Sequence, residues 1–95
     1  MDAKALNLTD AFRLASLISK HIDKIQPQQD AVEFISNIID KLSPEEYLRC
    51  VMLLTQENEE TIKKEISLDI LSVFIEGLKL NQIVTLVQFW KSLGL

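Results

Sequence analysis

Apolar residues fall three and four positions apart along almost the whole of this chain, and that spacing limits its fold more than any other feature. Side chains so spaced share one face of an α-helix. Only two Gly and two Pro interrupt the 95 residues, and no Asn-Gly or similar hairpin dipeptide occurs. The stretch "LDILSVFIEGL" alternates in part, but its neighbours extend it as a helix. The expected fold is all-α: one compact bundle of about five to six short helices over residues 1–95, without a β-sheet.

Local signals place the helices. Thr9 precedes Phe12, Ala15, Leu17, Ile18, Ile22 and Ile25, which predicts a first helix capped by Thr9 with Asp10 in its first turn. Pro27 disfavours helix at Gln26 and suits the first turn of a second helix carrying Phe34, Ile35, Ile38 and Leu42. In "LSPEEY" a capping box forms: Ser43 accepts from the third helical N–H, Glu46 reaches back, and Pro44 fills the first helical position. The polar "QENEETIKKEIS" predicts a short connecting helix over about residues 59 to 66, with Asn58 and Ser67 as caps and Glu60–Lys64 as an i,i+4 pair. Leu68, Leu71, Phe74, Ile75 and Leu78 define a fifth helix. Asn81 marks a break and cap before a sixth, and Gly94 a stop.

Charge and cysteine usage narrow the class. The net charge is −4, with the excess acid in residues 42 to 65, while residues 66 to 95 carry only Asp69, Glu76, Lys79 and Lys91 as charges. Lys and Arg are dispersed, and the one adjacent pair, Lys63-Lys64, is surrounded by Glu59, Glu60 and Glu65. Binding to nucleic acid needs clustered cations facing several phosphates, and none is written here. A single cysteine forms no internal disulfide, and "MDAKALNLTD" has no basic region followed by an apolar signal core. A reducing cytoplasm is the expected setting.

Catalytic readings find little support. His21 and Cys50 are the only residues of their types, and no carboxylates stand at metal-ligand spacing from them. His21 reads as a partly exposed residue near the end of helix one, and Cys50 as a small apolar filler. Glu45-Glu46 and Glu59-Glu60 sit at helix starts, where acid complements the dipole, and neighbours on a helix point about 100° apart. No glycine-rich phosphate loop exists, since the glycines lie at 77 and 94. Neither an enzyme nor a cofactor is expected.

The C-terminal end carries the functional question. Eleven uncharged residues separate Lys79 from Lys91, far fewer than the roughly 20 that span a bilayer as a helix. The mean hydropathy of +0.13 is high for so small a domain, which has much surface and little interior. In the last helix Ile83, Val87 and Trp90 form one line and Leu86, Phe89 and Leu93 a second, offset by roughly 60 to 100°. Either this stretch fills the chain's own core, or one face packs inward while the other meets a partner helix or another copy. The second reading makes Phe74, Ile75, Leu78, Ile83, Val87, Phe89, Trp90 and Leu93 the candidate partner-binding residues. Gly77, in mid-helix, marks either a close helix approach or a hinge.

"LTDAFRLASLISK" at the start, "LSPEEY" in the middle and "LDILSVFIEGLKLNQIVTLVQFWKSLGL" at the end together resemble the small tail assembly chaperones of long-tailed bacteriophages. The resemblance implies a nonenzymatic helper, acting in the host cytoplasm and absent from the mature virion. Its client would be the helical, aggregation-prone tape measure protein, kept soluble until tail tube subunits surround it. It also implies a homo-oligomer, with this chain as the short form beside a longer frameshifted product that reaches the tail tube protein. A generic homo-oligomeric helical adaptor or regulatory protein-binding module is the alternative. Neither reading involves nucleic acid or a membrane.

Overall fold

A computed structural model describes residues 1–23 and 30–94, and all regular structure in them is helical. Six helices follow in order: α1 (Leu8–Ser19), α2 (Ala31–Ile38), α3 (Pro44–Thr55), α4 (Glu59–Lys63), α5 (Ser67–Leu80) and α6 (Ile83–Ser92). The expected all-α bundle is therefore observed. Pro27 lies outside the described residues.

The capping box forms as the sequence predicts, with Glu46 N–H donating to Ser43 Oγ at 3.1 Å and Ser43 N–H to Glu46 Oε1 at 3.0 Å. Other caps differ. Asn7, not Thr9, caps α1, because Asn7 is the extended residue whose side chain accepts from Asp10 N–H at 2.8 Å, while Thr9 already lies inside the first turn. α2 starts at Ala31 behind Asp30, which accepts from Glu33 N–H. Asn58 caps α4 as expected, but that helix ends at Lys63, and its ion pair is Glu59–Lys63 at 2.7 Å in place of Glu60–Lys64. Ser67 is the first residue of α5, with Ile66 at the cap position and no side-chain cap bond. Gly94 adopts φ +73°, the left-handed stop.

The core draws on every helix: Leu14, Ala15 and Ile18 from α1, Phe34, Ile35 and Ile38 from α2, Cys50, Val51 and Leu54 from α3, Ile62 from α4, Phe74 and Leu78 from α5, and Ile83 and Val87 from α6. α3 lies against α5, and the contact passes through Gly77. A Cβ there would stand 2.9 Å from Leu54 Cδ2, inside van der Waals contact with a buried side chain. Gly77 therefore serves close approach, and α5 runs unbroken through it.

Asn81 does break the last third of the chain, though as the C-cap of α5. Gln82, at φ 50°, caps α6 without a side-chain bond, and the two helices meet at 58°. No single described helix is long and apolar enough to cross a membrane. Asn81 Nδ2 donates to Gly77 O at 2.9 Å and to Lys4 O at 3.0 Å, and its Oδ1 accepts from Leu6 N–H at 2.8 Å. Lys4 N–H donates in turn to Leu54 O at 2.8 Å. The break thus holds the N-terminal strap that leads into α1. Asn81→Ala removes three partners at once, and we expect it to lower unfolding free energy by about 1–3 kcal/mol in urea titrations and to speed proteolysis before Leu8.

At its other end α1 is tied to α3. His21 Nε2 lies 2.8 Å from Glu46 Oε2, on the carboxylate whose second oxygen closes the capping box. The Ser43 N–H, and after it His21, hold the Glu46 carboxyl at about 2, well below the ordinary 4.5. A folded value below the unfolded one stabilises above the unfolded value and loses that contribution as pH falls through the folded one. Accordingly, Glu46→Gln should lower the urea midpoint at neutral pH, and its deficit relative to the parent should shrink below pH 4.5 and vanish near 2.

Candidate functional site

α1 and α6 form the most extensive helix contact in the bundle, and it leaves an apolar strip on the outside. The two lines of α6 explain why. Ile83 and Val87 point inward and are fully buried, with Trp90 half-buried at the end of the same line. The second line then has to face out: Leu86 is half-buried, while Phe89 and Leu93 stay 52% and 47% exposed. From α1, Leu8 stands exposed and Phe12 packs beside α6, its ring 6.2 Å from Phe89 in a near-parallel stack and 5.4 Å from Trp90 at a tilt. Leu80, at the end of α5, extends the strip.

Two shallow grooves meet at Phe12. One, of about 370 Å³, runs between Leu8, Leu80, Leu86 and Phe89. Its neighbour, of about 310 Å³, has Phe12, Leu17 and Trp90 as its apolar wall and the cations Arg13 and Lys20 at its edge. Arg13 pairs with Asp10 at 3.2 Å and remains two-thirds exposed. An aromatic and aliphatic floor with a basic rim can take an amphipathic helix, the floor contributing burial and the rim selecting charge.

The eight residues singled out from sequence divide. Phe74, Leu78, Ile83 and Val87 are fully buried and offer nothing to a partner in this fold. Their place follows from packing: α5 meets α3 through Gly77, which turns Phe74 onto Tyr47 in an edge contact at 4.9 Å and Leu78 into the same core. Ile75 and Trp90 are partly buried, and Phe89 and Leu93 lie on the strip. Sequence reasoning missed Leu8, Phe12 and Leu80. It grouped Phe12 with Ala15 and Ile18, but helix geometry sets Phe12 about 120° from Ile18, and that angle was the available signal.

Cys50 and His21 are the other chemically capable side chains. Cys50 is buried, and desolvation, with the Glu46 carboxylate as a lesser cause, pushes its thiol up to about 12. At neutral pH it is a thiol, not a nucleophilic thiolate. His21 is engaged by Glu46. Among the described residues no group of three or more His, Cys, Asp or Glu could hold a metal ion. No protein-family model matches the chain, and comparisons with characterised proteins and with solved structures return no match.

Burial separates the two kinds of apolar residue by experiment. In urea unfolding, Phe74→Ala should cost about 3–5 kcal/mol, because it empties a core position. Phe89→Ala should cost about 1 kcal/mol, the scale of one exposed aromatic contact, and should reduce binding of an apolar dye to the native protein.

Proposed function

We propose that this chain is a nonenzymatic chaperone that holds an amphipathic helix of a longer client along the α1/α6 strip. The particular reading is a tail assembly chaperone of a long-tailed bacteriophage, in its short form, with the tape measure protein as client. One observation carries the helix-holding role: in a small acidic domain, Leu8 of α1 and Phe89 and Leu93 at the end of the chain stay exposed beside fully used core positions, with the half-buried Phe12 stacked on Phe89. A soluble monomer rarely keeps a contiguous exposed strip of this kind without a partner for it. Flanking acid elsewhere on the chain keeps such a domain in solution while the strip stays open.

In this reading the protein works in the host cytoplasm, is absent from the finished virion and needs no cofactor. The tail tube protein would be reached through a longer frameshifted product. The specific resemblance rests on the three quoted sequence stretches, and the helix-holding role on the strip.

Coexpression with the tape measure protein of the same genome tests both. The native chain should raise the soluble fraction of that client and copurify with it. Phe89→Asp with Leu93→Asp, at half-exposed positions, should retain the helical circular dichroism spectrum and lose at least nine-tenths of the captured client. A native chain that forms one fixed dimer and leaves client solubility unchanged is a generic adaptor, and the chaperone reading is then wrong.

A further inference from the structure

We infer that the cleft between α3, α4 and α5 is a second docking site, and that its occupant is a cationic amphipathic helix of another protein. The cleft shares no lining residue with either α1/α6 groove. It holds about 320 Å³, at the lower end of the roughly 300–1,000 Å³ of ligand-sized sites. Tyr47, Leu48, Val51, Ile62 and Ile70 give it an apolar floor. Val51 and Ile62 are buried and held by the core, while Tyr47, Leu48 and Ile70 keep part of their surface open.

The polar groups of the cleft select the sign of what enters. Glu59 and Lys63 line it but neutralise each other at 2.7 Å, so neither counts. Glu45 is exposed and in no ion pair among the described residues, which leaves the cleft with a negative edge. The Tyr47 hydroxyl has no hydrogen-bond partner among the described residues, and no buried side-chain oxygen there lacks one, so this hydroxyl reaches the open side. Burial pushes its phenol above the ordinary 10.0, and it stays a neutral hydroxyl that can accept from an ammonium or guanidinium. An aliphatic floor with a carboxylate and a hydroxyl at its mouth complements a lysine or arginine, whose stem is apolar and whose head only donates.

The surface beside the cleft continues the same character. Ile66 stands one turn before Ile70, whose N–H it accepts, and its side chain is 70% exposed. Glu65 and Asp69 flank it in sequence, both exposed and outside any ion pair among the described residues. A small ligand would leave Ile66 and these acids uncovered, whereas a helix can set one side chain in the cleft and lay the rest of its apolar face on Ile66. The chain's own helices do not supply such a partner. Arg13 of α1 is held by Asp10 and Lys63 of α4 by Glu59, while α3, α5 and α6 carry one cation each and α2 none. The occupant is therefore a different protein. The α1/α6 groove has a basic edge and this cleft an acidic one, so the two faces select opposite segments, and either proposal can fail without the other.

Fluorescence anisotropy on the purified full chain tests it with a labelled leucine-lysine peptide of about 18 residues, above the roughly 12–15 at which an isolated helix is marginal. The peptide should bind the native chain, and less tightly as salt rises from about 0.1 M to about 1 M. Glu45→Lys, at an exposed position, should weaken binding roughly tenfold, and Tyr47→Phe, which keeps the ring against Phe74, roughly threefold, both with the helical spectrum intact. Glu33→Lys makes the same charge change at an exposed position on α2 and should alter affinity less than about twofold, as should Phe89→Asp/Leu93→Asp on the other face. A peptide that does not bind, equal weakening by Glu33→Lys and Glu45→Lys, or loss through Phe89→Asp/Leu93→Asp instead would each overturn the inference. So would a Glu45→Lys chain of lower sedimenting mass than the parent, since the cleft would then be a contact between copies.

Discussion

A helix can turn only one face to a core, and α6 carries two apolar faces. Its ten residues hold Ile83 and Val87 on one line and Leu86 and Phe89 on the other, which Leu93 continues at the C-cap. The first line completes an interior already supplied by Leu14, Ile18, Phe34, Leu54 and Phe74, so there is no room inside for the second. Phe12 limits the exposure by stacking on Phe89 and Trp90 without burying them. What remains is a strip whose floor is fixed by the core beneath it. A rigid floor of this kind loses little conformational freedom when something docks on it.

The wall opposite α6 is held with equal care. α1 is fastened near its start by the strap through Lys4 and Leu6, and just past its end by His21 on Glu46. The strap bonds reach Asn81 and the Leu54 carbonyl, so the residue that separates α5 from α6 also sets the position of α1 beside α6. At the far end, one carboxylate completes the start of α3 with one oxygen and meets His21 with the other. Two polar hubs therefore position the apolar groove. This division of labour suits a site whose own walls must stay free of mutual saturation.

Much of this architecture is local and can be read from sequence. "LSPEEY" specifies its capping box within four residues, and Asn58 caps α4 from a neighbouring position. Gly77 is legible as a close approach, although Leu54 as its neighbour is not. The features that escape reading depend on distant partners. Asn81 looks like a cap for the following helix, but its side chain serves residues more than seventy positions away. Asn7 and Thr9 are both acceptable caps in isolation, and the extended backbone at Asn7 decides between them. Phe74 and Phe89 have similar sequence surroundings, one wholly inside and the other half outside, because the direction of α6 follows from where α1 and α2 already lie.

Charge shows the same contrast between sequence and space. Along the chain Arg13, Lys20 and Lys91 are isolated cations in an acidic protein. In the fold, Arg13 and Lys20 border one groove with Trp90, standing about 10 Å apart along α1 at a rise of about 1.5 Å per residue. Two turns of helix between like charges is a spacing that a docked helix can match with two acids on one face. An apolar floor alone accepts any greasy segment, since burial is non-directional. A basic edge penalises segments that bring their own cations and favours those that bring acid, so discrimination comes from the rim and adhesion from the floor.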